Sequence, residues 1–395
     1  MSAGGDTNAG GPAPVPHEAH LGALASLERV GNRSLRTLLA LGRPDEVWER
    51  VRSGSLPPHV IDRLSPAARA ASSGWSAAAR AQDPVDRWER WRSRGIGVVS
   101  IGSPSYPSVL ADDPDPPVVL FHRGDVDVLA APCVAIVGTR RATGYGRRVA
   151  HDLGRDLSDA GVCVVSGLAL GIDAAAHHGA ISAVTSGRGV GPAAVVGGGV
   201  DAPGPATNAA LARQLVEHGV VLSEAPPGTR PEPWRFPVRN RILAALARVV
   251  VVVESAARGG SMLTVEQAQL RDRTVLAVPG PVDSPASAGT NALLSEGAGV
   301  CGGADDVLVA LGLSSLSGAA PLPDGRPEPT GDAALVLQTL GFTPQPVESL
   351  AGALQMDLPR LSVALGALED TGWAVRRGPF VERIARDPAR PGGPP

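Results

Sequence analysis

The sequence contains no lysine, so all 36 residues counted as lysine or arginine are arginines. A Walker A loop needs a lysine beside the nucleotide phosphates, and its absence excludes a P-loop NTPase. Schiff-base chemistry and catalysis by a lysine base are excluded for the same reason. Any positively charged site in this protein must therefore be built from arginine.

Cysteine is scarce as well. Only Cys133, Cys163 and Cys301 are present, none of them in a C-x-x-C pair, and each lies beside or inside an apolar run. This pattern is typical of buried, reduced thiols in a cytosolic protein.

Long apolar segments are missing too. No run reaches the roughly 18 apolar residues that a membrane span requires. The first 20 residues lack the basic and apolar regions of a secretory signal. The net charge of −3 excludes a uniformly basic nucleic-acid coat but not a local basic pocket. We therefore expect a cytoplasmic protein that does not contact membranes.

The chain is long enough for two or three domains. Residues 1–20 are rich in Gly, Pro and Ala, which predicts a disordered tail. Residues 21–95 show apolar residues at helical spacing and predict a small helical module, of the SAM or helix-hairpin-helix type. A hairpin that grips DNA backbone usually has Gly-x-Gly at its turn, whereas "ERVGNR" offers only Gly31. We therefore favour a packing or docking role for this module over DNA contact.

Residues 96–129 are rich in Pro and Asp and read as an extended connector with one or two short strands. Apolar β-branched runs then alternate with helical stretches. Continuous apolar strands between helices predict an α/β domain over 130–312, with a Rossmann-like, doubly wound parallel sheet covered on both faces. Its ligand should lie at the carboxyl ends of the strands. The predicted strands are 133–138, 162–166, 193–197, 220–223, 249–254 and 274–278, and the predicted helices are 146–160, 172–183, 207–218, 239–247 and 261–272.

Residues 313–331 are typical of a flexible linker. Residues 332–395 read as three short helices and a two-stranded tail, the outline of a winged helix. The expected third helix, 357–370, has Arg360 as its one cation. A helix that reads the major groove usually carries more positive charge, which favours a protein contact or a vestigial role.

The first strand-end loop, "GTRRATGYGRR", contains Gly138, Thr139 and Arg140. Its glycines and the following helix N-terminus predict a phosphate cradle. A dinucleotide fingerprint is not expected, because Val149 stands where its third glycine belongs and the next strand ends at Ser166 rather than at an acid.

The second loop, "SGLALGIDAAAHHGA", predicts backbone amides open to an anion around Ser166, Gly167, Leu168, Ala169 and Gly171. Asp173 and His177 follow four residues apart on one helix face. We expect them to pair and lock the turn, because no spacing supplies the third ligand of a metal site.

The third loop leads to "FPVRNR", with Phe236, Arg239, Asn240 and Arg241. Arginine forks match phosphate oxygens, and an aromatic ring can stack on an unpaired base. Duplex DNA offers no free base faces, so this combination predicts a single-stranded polyanion. The fourth loop, "ESAARGGSM", opens a further helix with Gly259, Gly260 and Ser261 and predicts another anion-binding turn.

Six segments occur in this order along the chain: "VAIVGTRRATGYG", "VVSGLALGIDAAAHHGA", "LSEAPPG", "FPVRNRILAAL", "VVVVESAARGGSMLTVEQA" and "VLAVPGPVDSPASAGTNALLSEGA". Together they resemble the DNA-processing protein A family (DprA, also called Smf). This resemblance covers about 134–300 densely and the flanking modules loosely. It implies a single-stranded DNA-binding protein that protects incoming DNA, forms a homodimer and loads RecA recombinase in natural transformation or recombination, without catalysis, cofactor or metal. By motif, it assigns DNA contacts to Arg140, the "SGLALG" turn, Phe236, Arg239, Asn240 and Arg241, and dimerisation to the vicinity of "GTNALLSEGA".

One loop departs from the family pattern. It reads "VVGGGVDAPGPATN", without the usual aromatic before its proline but with Asn208 retained.

Two functions other than single-stranded DNA binding stay open. A nucleotide-monophosphate phosphoribohydrolase uses a "PGGxGTxxE" loop, and Gly259, Gly260 and Glu266 keep that spacing. A protein-interaction scaffold with a relic pocket is the third possibility.

Overall fold

The computed structural model describes residues 16–313, 326–341 and 343–384. These residues belong to two compact units, which divide between 314 and 315 and are described separately. The predicted disordered tail up to residue 15, most of the predicted linker (314–325) and the last eleven residues lie outside the described ranges.

The first unit begins with a helical module. Its first helix starts at His17, inside the segment predicted to be a disordered tail. Ser65 and Asp83 cap two of the helices by accepting hydrogen bonds from the backbone amides of the first turn, and Pro follows each cap. Trp48 and Trp75 are buried between the helices. The helices are α1 (His17–Ala25), α2 (Asn32–Leu39), α3 (Pro44–Ser53), α4 (Pro58–Arg63), α5 (Pro66–Arg80) and α6 (Pro84–Arg92).

A nine-stranded sheet forms the centre of this unit, in the order β1-β2-β6-β5-β4-β3-β7-β8-β9. Strands β3 to β9 are parallel. The predicted α/β fold with a doubly wound, mostly parallel sheet is confirmed. The strands are β1 (Ile96–Ser100), β2 (Val119–Gly124), β3 (Cys133–Val137), β4 (Cys163–Ser166), β5 (Ala193–Val195), β6 (Val220–Ser223), β7 (Val249–Val252), β8 (Thr274–Ala277) and β9 (Gly299–Val300).

The segment expected to be a connector, 96–129, supplies the antiparallel edge of this sheet. β2 pairs with β6, and β1 pairs with β2, both antiparallel. The helical module and the sheet also share one hydrophobic cluster, in which Trp91 packs edge-on against Phe121 at 5.3 Å between ring centroids. The module and the connector are therefore built into the same unit as the sheet.

Helices cover both faces of the sheet, as the alternating direction of strand side chains requires. Val134 and Ile136 of β3 pack with the helices 144–159, 172–185 and 304–311 on one face. Ala135 and Val137 pack with the helices 235–246, 262–269 and 288–295 on the other. The helices after β1 are α7 (Ser108–Ala111), α8 (Gly144–Asp159), α9 (Ile172–Thr185), α10 (Ala209–His218), α11 (Arg235–Leu246), α12 (Met262–Gln269), α13 (Ala288–Ser295) and α14 (Ala304–Leu311). In the described ranges, no helix combines the length and the apolar character that crossing a bilayer demands.

The second unit has its own core around Val336, Leu361 and Leu365. Its helices and its three-stranded sheet, of order β10-β12-β11, form the predicted winged helix. The elements are α15 (Gly331–Thr339), β10 (Gln345–Pro346), α16 (Val347–Leu354), α17 (Leu358–Asp370), β11 (Ala374–Arg377) and β12 (Phe380–Arg383).

Candidate nucleic-acid interface

A cavity of about 280 Å³ opens at the carboxyl ends of β3 to β6. We call it the strand-end cavity. Six residues predicted from the sequence as DNA contacts line it, and they come from three of the predicted loops. These residues are Arg140, Gly167, Leu168, Ala169, Phe236 and Arg239.

Arg239 is the buried cation of this cavity, with 8% of its surface exposed. Its Nη1 donates to the carbonyl of Val195, and its Nε donates to Oδ1 of Asn240 at 3.2 Å. Across the described ranges, no carboxylate oxygen lies within 4 Å of its guanidinium. Burial lowers the pKa of Arg239 to about 10, so it stays charged at neutral pH. A desolvated cation without an ionic partner is stabilised by an anion that enters the cavity.

Arg140 and Phe236 form the outer wall. The Arg140 guanidinium carbon lies 5.4 Å from the centroid of the Phe236 ring, within the range of a cation–π contact. Arg140 is exposed and Phe236 is half-buried. This wall thus combines a charge for phosphate with a ring that can stack on a base.

The "SGLALG" turn is held in an unusual backbone conformation. Leu168 has φ +56° and Gly171 has φ +83°, both in the left-handed region. Oδ2 of Asp173 accepts hydrogen bonds from the amides of Gly167 (3.1 Å) and Ala169 (3.3 Å), and Asn208 donates to the carbonyls of Leu168 and Ala169. The Gly167 and Ala169 amides, predicted to be open to an anion, are therefore occupied by the protein's own carboxylate.

The predicted pairing of Asp173 with His177 is wrong. Both ring nitrogens of His177 are buried without a hydrogen-bond partner among the described residues, and burial lowers the pKa of His177 to about 3. Asp173 does lock the turn, but it does so through the backbone. Burial raises the pKa of this carboxyl, and the nearby charge of Arg239 opposes the rise.

The phosphate cradle predicted after β3 is also occupied by an acidic side chain of the protein itself. The Glu254 carboxylate accepts hydrogen bonds from the amide (2.9 Å) and the hydroxyl of Thr143. The Thr139 amide donates to the Glu254 carbonyl at 2.7 Å. Gly138 packs closely against Ile172 and the Glu254 backbone, so Gly138 and Thr139 support Arg140 from behind the cavity.

Arg241 lies outside the strand-end cavity, contrary to the grouping of "FPVRNR" as one cluster. It forms an ion pair with Glu224 and contacts Asp115 at 3.3 Å. An α-helix turns about 100° per residue, so Arg239 and Arg241 are ~200° apart on α11. Asn240 is buried and orients Arg239. Ser166 and Gly171 flank the "SGLALG" turn without lining the cavity.

Gly259, Gly260 and Ser261 do not line this cavity either. The Ser261 hydroxyl donates to the Ser255 hydroxyl at 2.8 Å, and a side chain on Gly259 would meet that same serine. Gly259 and Ser261 are thus packed against Ser255, whereas Gly260 is exposed. Glu266, which follows on α12, is exposed. The described residues also hold no cluster of three or more His, Cys, Asp or Glu side chains that could bind a metal ion.

Gly197 and Gly198 line the cavity and were missed by the sequence predictions, as were Pro205 and Pro231. The signal was present in "VVGGGV", because glycines that follow a buried strand allow close backbone approach. A side chain on Gly198 would meet the carbonyl of Thr229 and the ring of Pro231.

The fold and the site define a class: a Rossmann-like protein with an arginine-lined strand-end cavity and a winged helix in the same chain. A family model described as DNA recombination-mediator protein A matches residues 97–312, and a second, described as DprA winged helix domain, matches 320–378. The chain belongs to the DNA recombination-mediator protein A (DprA) family.

Individual proteins of this family are also similar to the chain. The chain is 45% identical over 210 residues to the putative DNA processing protein DprA of Mycobacterium tuberculosis, covering 52% of this chain and 53% of that protein. It therefore spans about half the length of this relative. It is 39% identical over 218 residues to the DNA processing protein DprA of Bacillus subtilis, covering 55% and 72%. The X-ray structure of DprA from Streptococcus pneumoniae matches with a TM-score of 0.59 and 30% identity, covering 74% of this chain and 96% of that one.

Proposed function

We propose that the strand-end cavity binds single-stranded DNA and that the protein is a non-enzymatic recombination mediator. In this role it protects incoming DNA and passes it to a RecA-class recombinase during natural transformation or recombination. The observation that carries the proposal is the buried, charged Arg239 in a cavity whose wall combines Arg140 with the Phe236 ring.

The chemistry of the cavity favours a single strand. Its two arginines suit the phosphate backbone, and the Phe236 face suits an unpaired base. In a duplex the base faces are stacked on one another, so the ring would gain nothing. The turn is already rigid through Asp173 and Asn208, which reduces the ordering cost of binding.

A homodimer, a cytoplasmic location and the recombinase partner are parts of the same proposal. They rest on membership of the family. Light scattering of the purified chain tests the dimer, and recombinase filament formation on protein-coated single strands tests the loading.

The direct test is the anisotropy of a fluorescent oligo-dT, against a duplex of equal length, at two salt concentrations. Arg140→Ala should weaken single-strand binding and lower the slope of log K against log salt by about 0.7, as expected for one lost phosphate contact. Arg141→Ala is the matched control, because Arg141 is the exposed neighbour outside the cavity. Equal binding of duplex, or equal losses in both variants, would refute the cavity as the DNA site.

Nucleotide hydrolysis is tested separately. We expect no release of free base from AMP or GMP, because Gly259, Gly260 and Glu266 lie outside the strand-end cavity and Gly259 is packed against Ser255. Base release that Glu266→Gln abolishes would establish the phosphoribohydrolase instead.

A further inference from the structure

A second concave surface lies beside the strand-end cavity. It is a groove of about 860 Å³ between the turn that joins α1 to α2 and the loop that joins β6 to α11. We call it the module groove and define it by Arg29, Arg33, Arg230, Trp234 and Val238. Both of its walls belong to the first compact unit.

The first turn of α11 separates the groove from the cavity. Phe236 and Arg239, three residues apart, line the cavity. Arg235 and Val238, also three residues apart, line the groove. Residues spaced by three share a helix face, so one helical turn is the ridge between two adjacent sites.

Trp234 presents a large ring at this ridge. Half of it is exposed (51%), yet it is held in place from two sides. Its Nε1 donates to Glu232 at 3.0 Å, and the Arg235 guanidinium carbon lies 4.3 Å from the ring centroid. An exposed but immobilised indole is a ready stacking surface, because little side-chain entropy remains to be lost on binding.

Both walls carry positive charge, with Arg29 and Arg33 on the α1–α2 side and Arg230 on the β6–α11 loop. Arg29, Arg33 and Arg230 are exposed, and in the described part of the chain none has a carboxylate within 4 Å. Among the acids that line the groove, Glu232 pairs with Arg235, and Asp115 and Glu224 pair with Arg241, which leaves Glu28. The groove therefore keeps a surplus of arginine.

The α1–α2 turn is rigid. Arg29 has φ +62°, a conformation that L residues rarely adopt. Trp75 stabilises the turn by donating from Nε1 to the Glu28 carbonyl at 3.0 Å, and the Val30 amide closes it onto Leu27. The turn has one glycine where a DNA-gripping hairpin usually has two, but its hydrogen bonds hold the backbone of Arg29 beside the groove.

We propose that the module groove binds the continuation of the single strand that enters the strand-end cavity. Trp234 stacks on a base, and Arg29, Arg33 and Arg230 contact phosphates. This inference rests on the proposed function of the cavity and extends it by assigning the helical module a DNA contact.

The test compares the affinities of a short oligo-dT, sized to fill the cavity alone, and a long one that spans both sites. In wild type the long oligomer should bind more tightly. Trp234→Ala should weaken the long oligomer about tenfold, within the range for one lost base stack, and leave the short one unchanged. Trp234→Phe should restore most of the loss, since a ring is kept. Arg29→Ala with Arg33→Ala should weaken the long oligomer and lower its salt slope.

Arg50→Ala is the matched control, since Arg50 is exposed on α3 outside the groove. Circular dichroism checks that each variant is folded. If wild type fails to bind the short oligomer, the proposed cavity function fails. If wild type binds both but the groove variants lose no affinity for the long oligomer, the groove inference alone is overturned. A loss confined to duplex binding would also overturn it.

Discussion

At the scale of single residues, the site depends on a close approach between a glycine and an arginine. The Arg239 guanidinium lies directly over Gly167, where a Cβ would occupy the same space. The glycine is needed for this contact and not for a positive φ, because its neighbour Leu168 is the left-handed residue of the turn. The absence of a side chain at Gly167 therefore allows the Arg239 guanidinium to take its position in the cavity.

Gly167→Ala should consequently displace Arg239 and weaken single-strand binding by about tenfold, the effect of losing one hydrogen bond to a charged group. Oligo-dT anisotropy measures this change. Gly144→Ala is the control, because a Cβ at Gly144 meets no atom within 4 Å and should leave affinity unchanged. Full affinity in Gly167→Ala would show that Arg239 does not contact DNA.

At the scale of elements, the sequence predicts what local patterns encode. The six predicted strands and their helices follow from apolar runs and helical spacing, and the structure has them within a few residues, whereas the short parallel strand β9 was not predicted. The antiparallel edge was not predicted as part of the sheet. β1 and β2 join β6 through pairing about a hundred residues away in the chain, which no local pattern encodes.

The site was predicted only in part, because local sequence patterns also do not show which distant residues contact each loop. Loop glycines and arginines indicated the strand-end cavity, but not which amides were already occupied. Asp173 stands in the first turn of α9, a position where acids commonly bind free backbone amides, and this signal was available. The separation of Arg239 from Arg241 also follows from helical geometry once the helix is known to begin at Arg235.

A buried ion pair holds the segment between β1 and β2 against the end of α12. Arg271 contacts Asp113 at 2.7 Å from Nε and 3.2 Å from Nη2, and the two side chains are 7% and 1% exposed. Asp113→Ala leaves a buried guanidinium without its partner, so it should lower the free energy of unfolding by about 3–5 kcal/mol.

Urea denaturation followed by circular dichroism measures this loss. Asp45→Ala serves as the comparison, because its partner Arg43 is largely exposed and a surface ion pair adds little to stability. A similarly small loss for Asp113→Ala would mean that the segment is not held to the sheet by this pair.

At the scale of the whole molecule, the two units have separate hydrophobic cores. The strand-end cavity and the module groove both lie within the first unit. In the second unit, α17 carries Arg360 as its one cation, and Asp332 pairs with it at 2.5 and 2.6 Å. Val363 on the same helix is 76% exposed. This helix offers little to a phosphate backbone.

Removal of residues 315–395 should therefore leave single-strand affinity and its salt dependence within about twofold of the full chain, because the lost helix brings no unpaired cation. Anisotropy of oligo-dT with both proteins measures this, and thermal melting checks that the first unit keeps its transition. Arg360→Ala in the full chain is the companion variant and should likewise leave the affinity for oligo-dT unchanged. If the truncated protein lost much of its affinity while Arg360→Ala did not, the winged helix would contribute to DNA binding through residues other than those of α17. Loss in both proteins would place the DNA contact on α17 itself, against the charge argument.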